Sequence, residues 1–180
     1  MATPEAIAEL LDKMASHRDQ LLAQAESLSE KDAEWAPADA VGEAQWSAKQ
    51  QLAHLAEMET SYRAWVEAAL KEDDPDVSRV RGDRPPIALT EAQVHTIADL
   101  AAQLREQRKT TLRLIESMSP EQFERTANQP MFGRLTAMQW LRSYYRHDRM
   151  HMDQMAGREP EYKPKFVGGK EPDQRRGPRV

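Results

Sequence analysis

Residues 131–155 read MFGRLTAMQWLRSYYRHDRMHMDQM, and this stretch decides the fold. After Gly133 it contains no glycine or proline, the two residues that most disfavour a helix interior. Thr136 and Gln139 have the spacing of a capping box, in which two side chains satisfy free backbone N–H groups at a helix start. Apolar side chains then recur at steps of about three and four residues. The stretch therefore predicts an amphipathic helix.

The rest of the chain divides in the same way. Glycine and proline are also absent from residues 5–36, 43–74 and 87–119, and each of these windows has one apolar stripe at helical spacing. Four amphipathic helices bury their stripes most economically in a bundle, so we predict an all-α four-helix bundle. The start signals of the first three helices are Thr3 before Pro4, Ser47 with Gln50, and Thr90 with Gln93.

The connections between the windows differ in length. Residues 30–46 and 72–89 are long for links between antiparallel neighbours, so at least one of them is expected to cross over the bundle. A short extra helix is expected from Ser119 to about Arg125. No segment alternates between apolar and polar residues in the manner of a strand.

The composition changes at Gly157. The last 24 residues carry seven basic and four acidic side chains, whereas the preceding part is strongly acidic. We therefore predict a bundle domain over residues 1–156 and a polar, basic tail over residues 157–180, extended or disordered. Tyr162 and Phe166 are candidates to attach part of this tail to the bundle.

Composition also limits the function. A chain of 180 residues suggests one domain. The net charge of −5 argues against a general nucleic-acid binder, and no apolar run reaches the roughly 18 residues of a membrane span. The sequence has no cysteine, which excludes disulfides, thiolate metal sites and cysteine nucleophiles. A cytoplasmic protein without membrane or nucleic-acid partners is expected.

Three histidines lie on predicted inward faces. His147 and His151 are four residues apart and continue the stripe of Trp140 and Tyr144, while His54 has the same placement in the second helix. Buried polar groups without partners cost roughly 1–3 kcal/mol each, so inward imidazoles need something bound to their nitrogens. Three histidines converging inside a bundle could bind one divalent cation and leave a position open, as in catalytic sites. Imidazole suits zinc, nickel, copper and iron, and the spacing does not choose among them.

A structural interpretation stands beside this one. A histidine pair at i, i+4 often decorates a surface, and a single inward histidine is commonly a hydrogen-bonded core residue. The string HDRMH resembles half of a zincin motif, but it lacks the glutamate after the first histidine and has no later histidine.

Two further residues are candidates for catalysis. Glu57 follows His54 by three residues and is expected to orient a ligand histidine or act as a base. Tyr144 precedes His147 by one turn on the same face and is expected to hold a bound water or a substrate oxygen, although a bundle-core aromatic needs no such role.

Other polar residues are assigned structural places. His17 is expected to make a hydrogen bond at the edge of the core, with a role as fourth ligand or substrate-side base as the alternative. His95 is expected to face solvent at the start of a helix, beside an inward-facing Val94. Asp148 and Asp153 flank the histidine pair away from its face, and surface ion pairs are expected for both.

At this point two segments resemble a known family, the DinB-like (DinB/YfiT) metalloenzymes. Residues 34–59, EWAPADAVGEAQWSAKQQLAHLAEME, resemble the family's loop in which Trp46-Ser47 leads into a helix carrying the first histidine, here His54. Residues 131–155 resemble its last helix, with an H-x-x-x-H pair at His147 and His151. The resemblance extends over residues 5–156 and omits the tail.

The resemblance implies an up-down-down-up four-helix bundle with a three-histidine metal site at one end. Relatives include metal-dependent transferases that use low-molecular-weight thiols such as bacillithiol or mycothiol. We therefore expect His54, His147 and His151 to hold a divalent transition metal, zinc or nickel first, with iron or manganese as alternatives.

Two functions follow. In the first, the cation activates a thiol for transfer to an electrophile, or water for hydrolysis. Because the chain has no cysteine, such a thiol comes from a small molecule. In the second, the bundle is a non-catalytic module that binds metal, a ligand or a protein partner. A homodimer is expected to use a spare apolar face, for which Trp35, Trp46 and Trp65 are candidates.

Overall fold

The computed structural model describes residues 1–165 and 168–175, and four long helices make up most of them. This confirms the predicted four-helix bundle. None of the helices in the described ranges is long and apolar enough to cross a membrane. The helices are α1 (Pro4–Glu26), a short α2 (Glu30–Glu34), α3 (Ala48–Lys71), α4 (Ile97–Ser117) and α5 (Ala137–Met155).

The helix directions follow from their side-chain contacts. Helix α1 runs parallel to α5, because Arg18 bonds to Asp148 and Gln24 bonds to Met152 further along both. Helix α4 runs antiparallel to α1, because Arg18 bonds to Leu104 and the earlier Met14 bonds to the later Arg108. Helix α3 runs antiparallel to α5. The order is therefore up-down-down-up. Helices α3 and α4 are parallel neighbours, so residues 72–96 must cross over the length of the bundle, as the long connection predicted.

Capping residues set the helix starts, and one predicted cap is wrong. Capping boxes form at Ser47 before α3 and Thr136 before α5, as predicted. The box before α4 is formed by Thr96 and Asp99 instead of Thr90 and Gln93, because residues 89–94 form a 3₁₀ helix. Val94, predicted to face inward, is consequently 85% exposed.

The structure also contains short strands that no pattern in the sequence indicates. Strands β1 (Thr126–Gln129) and β2 (Gly133–Thr136) form an antiparallel hairpin directly before α5. Each strand has only four residues, too few for an alternating pattern to stand out. The helix predicted from Ser119 to Arg125 is reduced to a single 3₁₀ turn, Gln122–Glu124. Another 3₁₀ turn, Gly42–Gln45, precedes α3.

Part of the tail folds back onto the bundle. Strands β3 (Tyr162–Pro164) and β4 (Asp173–Arg175) pair antiparallel and form the C-terminal hairpin. The Tyr162 ring lies 5.7 Å from the Arg146 guanidinium of α5, which supports its predicted attachment role. Phe166, the other predicted attachment, lies outside the described residues.

Candidate metal centre

Four side chains converge near the end of the bundle where α3 begins and α5 ends. His54 comes from α3, and His147 and His151 come from successive turns of α5. Glu43 reaches them from the 3₁₀ turn that precedes α3. One potential ligand atom from each of the four lies within 4.8 Å of all the others. The structure thus brings together the three predicted histidines and adds a carboxylate.

The distances place three imidazole nitrogens around one carboxylate. The Nε2 atoms of His147 and His151 are 3.0 Å apart. Glu43 Oε1 lies 3.2 Å from His54 Nε2, and Glu43 Oε2 lies 3.6 Å from Nε2 of each α5 histidine. Two nitrogens bound to one tetrahedral zinc ion would be about 3.3 Å apart, given Zn–N distances near 2.0–2.1 Å. The spacing of the α5 pair is close to that value.

The hydrogen bonding of these groups also fits a cation. All three histidines are buried. Within the described part of the chain, His54 Nε2 and Glu43 Oε2 are buried and make no hydrogen bond of good geometry, although His54 Nε2 lies 3.2 Å from Glu43 Oε1. Unpaired buried nitrogen and oxygen atoms are unfavourable, and a cation between them would satisfy both.

The pKa shifts favour a deprotonated donor set. Burial lowers the pKa of His54, and burial together with the neighbouring histidines lowers the pKa of His151 well below its usual value. Burial alone would raise the pKa of Glu43, but His147 and His54 hold it well below its ordinary range. Burial opposes protonation of His147, yet Asp173 and Glu43 raise its pKa. A cation would therefore compete with a proton chiefly at His147.

Two residues at the start of α3 orient the imidazoles. Gln51 Nε2 donates to the Trp46 carbonyl at 3.0 Å, so Gln51 Oε1 faces His151 Nδ1, at 3.2 Å. The Nδ1 atom of His151 must then donate, which leaves the lone pair of Nε2 directed at the cluster. The Trp46 ring packs against the His54 ring at 4.6 Å. The Trp46-Ser47 motif thus both caps α3 and supports the cluster.

The two predicted catalytic residues lie one helical turn from cluster histidines, Glu57 along α3 and Tyr144 along α5. Glu57 Oε1 accepts a hydrogen bond from the Leu89 backbone N–H at 2.9 Å, and its charge raises the pKa of His54. Tyr144 stacks on Tyr62 with ring centroids 5.5 Å apart. The Tyr144 hydroxyl is buried without a hydrogen-bond partner among the described residues, and burial raises its pKa well above the usual value.

The remaining histidines stay outside the cluster. His17 Nδ1 donates to the Tyr145 carbonyl at 3.0 Å, which is the bond predicted for the edge of the core. His95 is half-buried and lies between the 3₁₀ helix of residues 89–94 and the Thr96 cap of α4, so it faces solvent only in part.

The aspartates flanking the histidine pair are buried, which corrects the prediction of surface ion pairs. Asp153 pairs with Arg158 and accepts from the Glu161 backbone N–H, so it holds the start of the tail on α5. Asp148 is fully buried and accepts hydrogen bonds from Arg18 and Arg108. The prediction failed because the partners of Asp148 come from other helices and those of Asp153 come from the tail, at positions that an apolar stripe does not reveal.

Asp148 belongs to a buried ionic network at the centre of the bundle. Glu59 accepts from Arg18 Nη2 at 2.8 Å and from Arg108 Nε at 2.9 Å, and also from the Thr111 hydroxyl at 2.7 Å. Burial would raise the pKa of Glu59, but the two guanidinium groups lower it to about 2. Two cations and two anions thus balance, and they join all four long helices.

Two acidic residues near the histidines were not predicted. Glu43 belongs to the loop segment quoted for the family resemblance, so its place before Trp46 is the signal that could have found it. Asp173 belongs to the C-terminal hairpin and is 2% exposed. Burial raises its pKa to about 6, although His147 acts in the opposite direction. No local pattern in the basic tail marks this residue.

Comparison with known proteins agrees with this architecture. The sequence profile of the DinB superfamily matches residues 13–155, which include both histidine-bearing helices. The chain belongs to the DinB superfamily. A search of curated proteins finds no match.

Solved structures of other proteins share the fold. YfiT from Bacillus subtilis, described as a probable metal-dependent hydrolase with an unusual four-helix bundle topology, has 16% identity and a TM-score of 0.71, with 87% of each chain covered. A mycothiol-dependent maleylpyruvate isomerase has 13% identity and a TM-score of 0.62. The match covers 83% of this chain and 60% of the isomerase, and a mutant of that isomerase matches over the same shares.

In this DinB superfamily chain, two clefts border Glu43. One, the aromatic cleft beside Tyr62, Trp65 and Phe132, has a volume of about 370 Å³. The other, the Val41 cleft beside Val41 and Met150, has a volume of about 620 Å³. Both also reach Pro164 of the C-terminal hairpin, so the tail forms part of each wall. The aromatic cleft is lined by Met58, Tyr62, Trp65, Phe132, His147 and Asp173, among others. The Val41 cleft is lined by Pro37, Val41, Gly42, Met150, Gln154 and Lys163, among others.

Proposed function

We propose that this chain is a metal-dependent enzyme that activates a small nucleophile at the His54, His147 and His151 cluster. The nucleophile is a low-molecular-weight thiol in the preferred reaction, which transfers sulfur to an electrophile. Hydrolysis, with water as the nucleophile, is the second reaction of the same site. The metal is zinc or nickel, with iron or manganese as alternatives.

One observation carries this proposal. Three buried imidazole nitrogens and one carboxylate meet within 4.8 Å at the end of a bundle, beside an open cleft. Structural metal sites are closed, whereas a site beside a cleft leaves room for a substrate. The description of YfiT as a probable metal-dependent hydrolase supports the metal, and the isomerase named for mycothiol supports the thiol.

The residues of the cluster and their neighbours have distinct roles in this proposal. A bound divalent cation lowers the pKa of a water or thiol, so that a nucleophile forms near neutral pH. His54, His147 and His151 would hold the cation, and Gln51 keeps the His151 lone pair directed at it. Glu43 supplies a negative charge that offsets the cation. The buried histidines exclude bulk water from one side of the centre.

The two candidate catalytic residues have different parts. Tyr144 keeps its proton at neutral pH, because burial raises its pKa, and its hydroxyl is available as a hydrogen-bond donor. Glu57 is a positioning residue. Its carboxylate fixes the Leu89 backbone at the end of the crossover segment and acts on His54 through its charge.

The test is turnover of a thiol with monochlorobimane, an alkyl chloride that becomes fluorescent when sulfur replaces chlorine. A C–S bond forms, the C–Cl bond breaks, and chloride and the thiol proton are released. Zinc- or nickel-loaded protein is expected to accelerate the reaction of bacillithiol or mycothiol. Chelation of the metal and His54→Ala should each abolish the acceleration, whereas His95→Ala should retain it.

The outcomes separate the two reactions and the non-catalytic alternative. Metal-dependent cleavage of activated esters without thiol transfer would favour the hydrolase. Equal rates for wild type, chelated protein and His54→Ala would contradict the enzyme proposal. Tight metal binding without turnover in either assay would favour the metal-binding module.

We also propose that the protein is cytoplasmic and forms a homodimer. Trp65 is buried, and Trp46 is half-buried against His54, so Trp35 is the best candidate for the dimer face. Trp35 is 67% exposed and lies beside the start of α3. Sedimentation of wild type and Trp35→Ala tests this surface. A dimer that persists in the variant would exclude Trp35 from the interface.

A further inference from the structure

One wall of the aromatic cleft is apolar and suited to an aromatic or alkyl group. Tyr62, Trp65 and Phe132 form one side, with ring centroids 5.2 Å apart for the first two. Met58 and the half-exposed Met131 extend the apolar wall. The cleft has a volume of about 370 Å³ and combines this apolar wall with polar side chains, among them Ser61, Arg81 and Gln129. An apolar wall with a few polar groups that fix orientation is typical of a site for a small molecule.

Asp173 is a polar group in this cleft with bonding capacity to spare. Its side chain lines the cleft and is almost completely buried. Its Oδ2 atom has no hydrogen-bond partner in residues 1–165 and 168–175. A buried carboxylate oxygen without a partner is costly, so its retention beside an open cleft points to a partner that arrives from outside.

The C-terminal hairpin holds Asp173 in place. The Asp173 carbonyl accepts from Arg146 Nη1 at 3.2 Å, which ties β4 to α5. The Gly169 N–H donates to the Phe132 carbonyl at 2.8 Å, which ties the hairpin loop to the turn between β1 and β2. In both bonds the partner of the C-terminal hairpin is a residue of the bundle or of the β1–β2 hairpin. The carboxylate is thus positioned by contacts that do not involve its own side chain.

We propose that the aromatic cleft is the substrate site and that Asp173 is a substrate-contacting residue of it. The ligand class is a small apolar molecule, aromatic or alkyl, with a hydroxyl or N–H donor that Asp173 accepts. Its assignment as substrate rests on the proposed function, because His147 and Glu43 bring the metal cluster to the same cleft. Asp173 lies outside the residues that match the DinB superfamily profile, so this contact belongs to the tail of this chain.

The test uses two isomeric probes that differ only in the donor. Benzyl alcohol has a hydroxyl group, whereas anisole has the same atoms with an ether oxygen. Amide chemical shifts of the full-length protein are followed during titration with each probe, in the presence of zinc and again after chelation. Saturable shifts are expected at Met131, Phe132 and Asp173. Benzyl alcohol should bind roughly tenfold more tightly than anisole, the effect of one hydrogen bond to a charged group.

Five further measurements make the assignment specific. Asp173→Ala should remove the preference for benzyl alcohol, and Asp173→Asn, which keeps the side-chain size, should reduce it. Met131→Ala should weaken both probes about threefold through lost apolar contact. Val41→Ala is the matched control in the other cleft and should change neither affinity. Benzoate should bind more weakly than both probes, because its charge repels Asp173.

Several results would overturn the proposal. These are equal affinities for the two probes, a preference that survives Asp173→Ala in a folded variant, and tighter binding of benzoate through Arg81, which also lines the cleft. Saturable shifts confined to the Val41 cleft, or no saturable shifts, would also overturn it. The same spectra test the metal site independently of the cleft. If zinc causes no chemical-shift changes at His54 and His151, the proposed metal site fails, whatever the two probes do.

Discussion

Removing the charge of Asp148 should destabilise the bundle strongly. Asp148 Oδ1 lies 2.7 Å from Arg18 Nη2, and its Oδ2 lies 2.9 Å from Arg108 Nη2. In Asp148→Asn the network keeps two guanidinium groups but only the Glu59 carboxylate, which leaves one uncompensated positive charge in the core. Breaking a buried pair in this way costs about 3–5 kcal/mol. For a domain of this size, that loss lowers the melting temperature by about 6–20 °C.

Urea unfolding of the chelated protein, followed by tryptophan fluorescence, measures this loss without a contribution from metal. Glu26→Gln is the matched control, because Glu26 pairs with Arg105 at 2.8 Å on the surface. Exposed pairs contribute at most about 1 kcal/mol, so the control should stay within that range of wild type. Adding Arg108→Met to Asp148→Asn restores neutrality and should cost less than the sum of the two single changes.

A loss below about 1 kcal/mol for Asp148→Asn would refute this reasoning. It would mean that water or structural relaxation compensates the buried charges. Strict additivity in the double variant would also contradict the idea that the four residues act as one neutral unit.

Three other predictions concern the network, the tail and the cluster. The pKa of Glu59 is lowered to about 2, so its ionised form contributes roughly 3 kcal/mol to the free energy of unfolding above its unfolded pKa near 4.5, and this contribution is lost as the pH falls towards 2. Unfolding measured across acid pH should show the loss for wild type. A flat profile shared with Glu59→Gln would contradict it. Gly133 has φ +79°, and a Cβ there would lie 2.7 Å from Gly169 N. Gly133→Ala should therefore detach the C-terminal hairpin and speed its proteolysis. An unchanged rate of cleavage would show that this close contact does not hold the hairpin. Gln51→Ala should weaken metal binding roughly 10–100-fold in calorimetry, because the His151 ring loses its orienting acceptor, and equal affinity would show that the bond has no such role.

The sequence predicts those parts of the fold that repeat along a helix. The breaker-free windows and apolar stripes locate four helices, and the capping boxes at Ser47 and Thr136 locate two helix starts correctly. The inward faces also identify His54, His147 and His151 as neighbours. Each helix has one apolar stripe, and the stripes of all four helices meet in the core. The cap before α4 was misplaced because Thr90 and Thr96 carry equally good local signals.

Contacts between distant segments were beyond sequence reasoning. Asp148 looked like a surface residue because its partners Arg18 and Arg108 come from two other helices. Asp173 lies in a tail whose composition resembles that of a linker, yet the hairpin delivers it to the histidines. Glu43 was visible only as one acid in a loop, since nothing local indicates that the loop folds over α5.

The most direct test of the account is the metal content of protein purified without a histidine tag. Wild type is expected to contain about one transition metal per chain, and His147→Ala/His151→Ala is expected to contain none. His95→Ala removes a histidine outside the cluster and should retain the metal. Equal metal content in wild type and the double variant, after zinc, nickel or manganese has been added back to both, would contradict the metal centre and return the three histidines to a structural role.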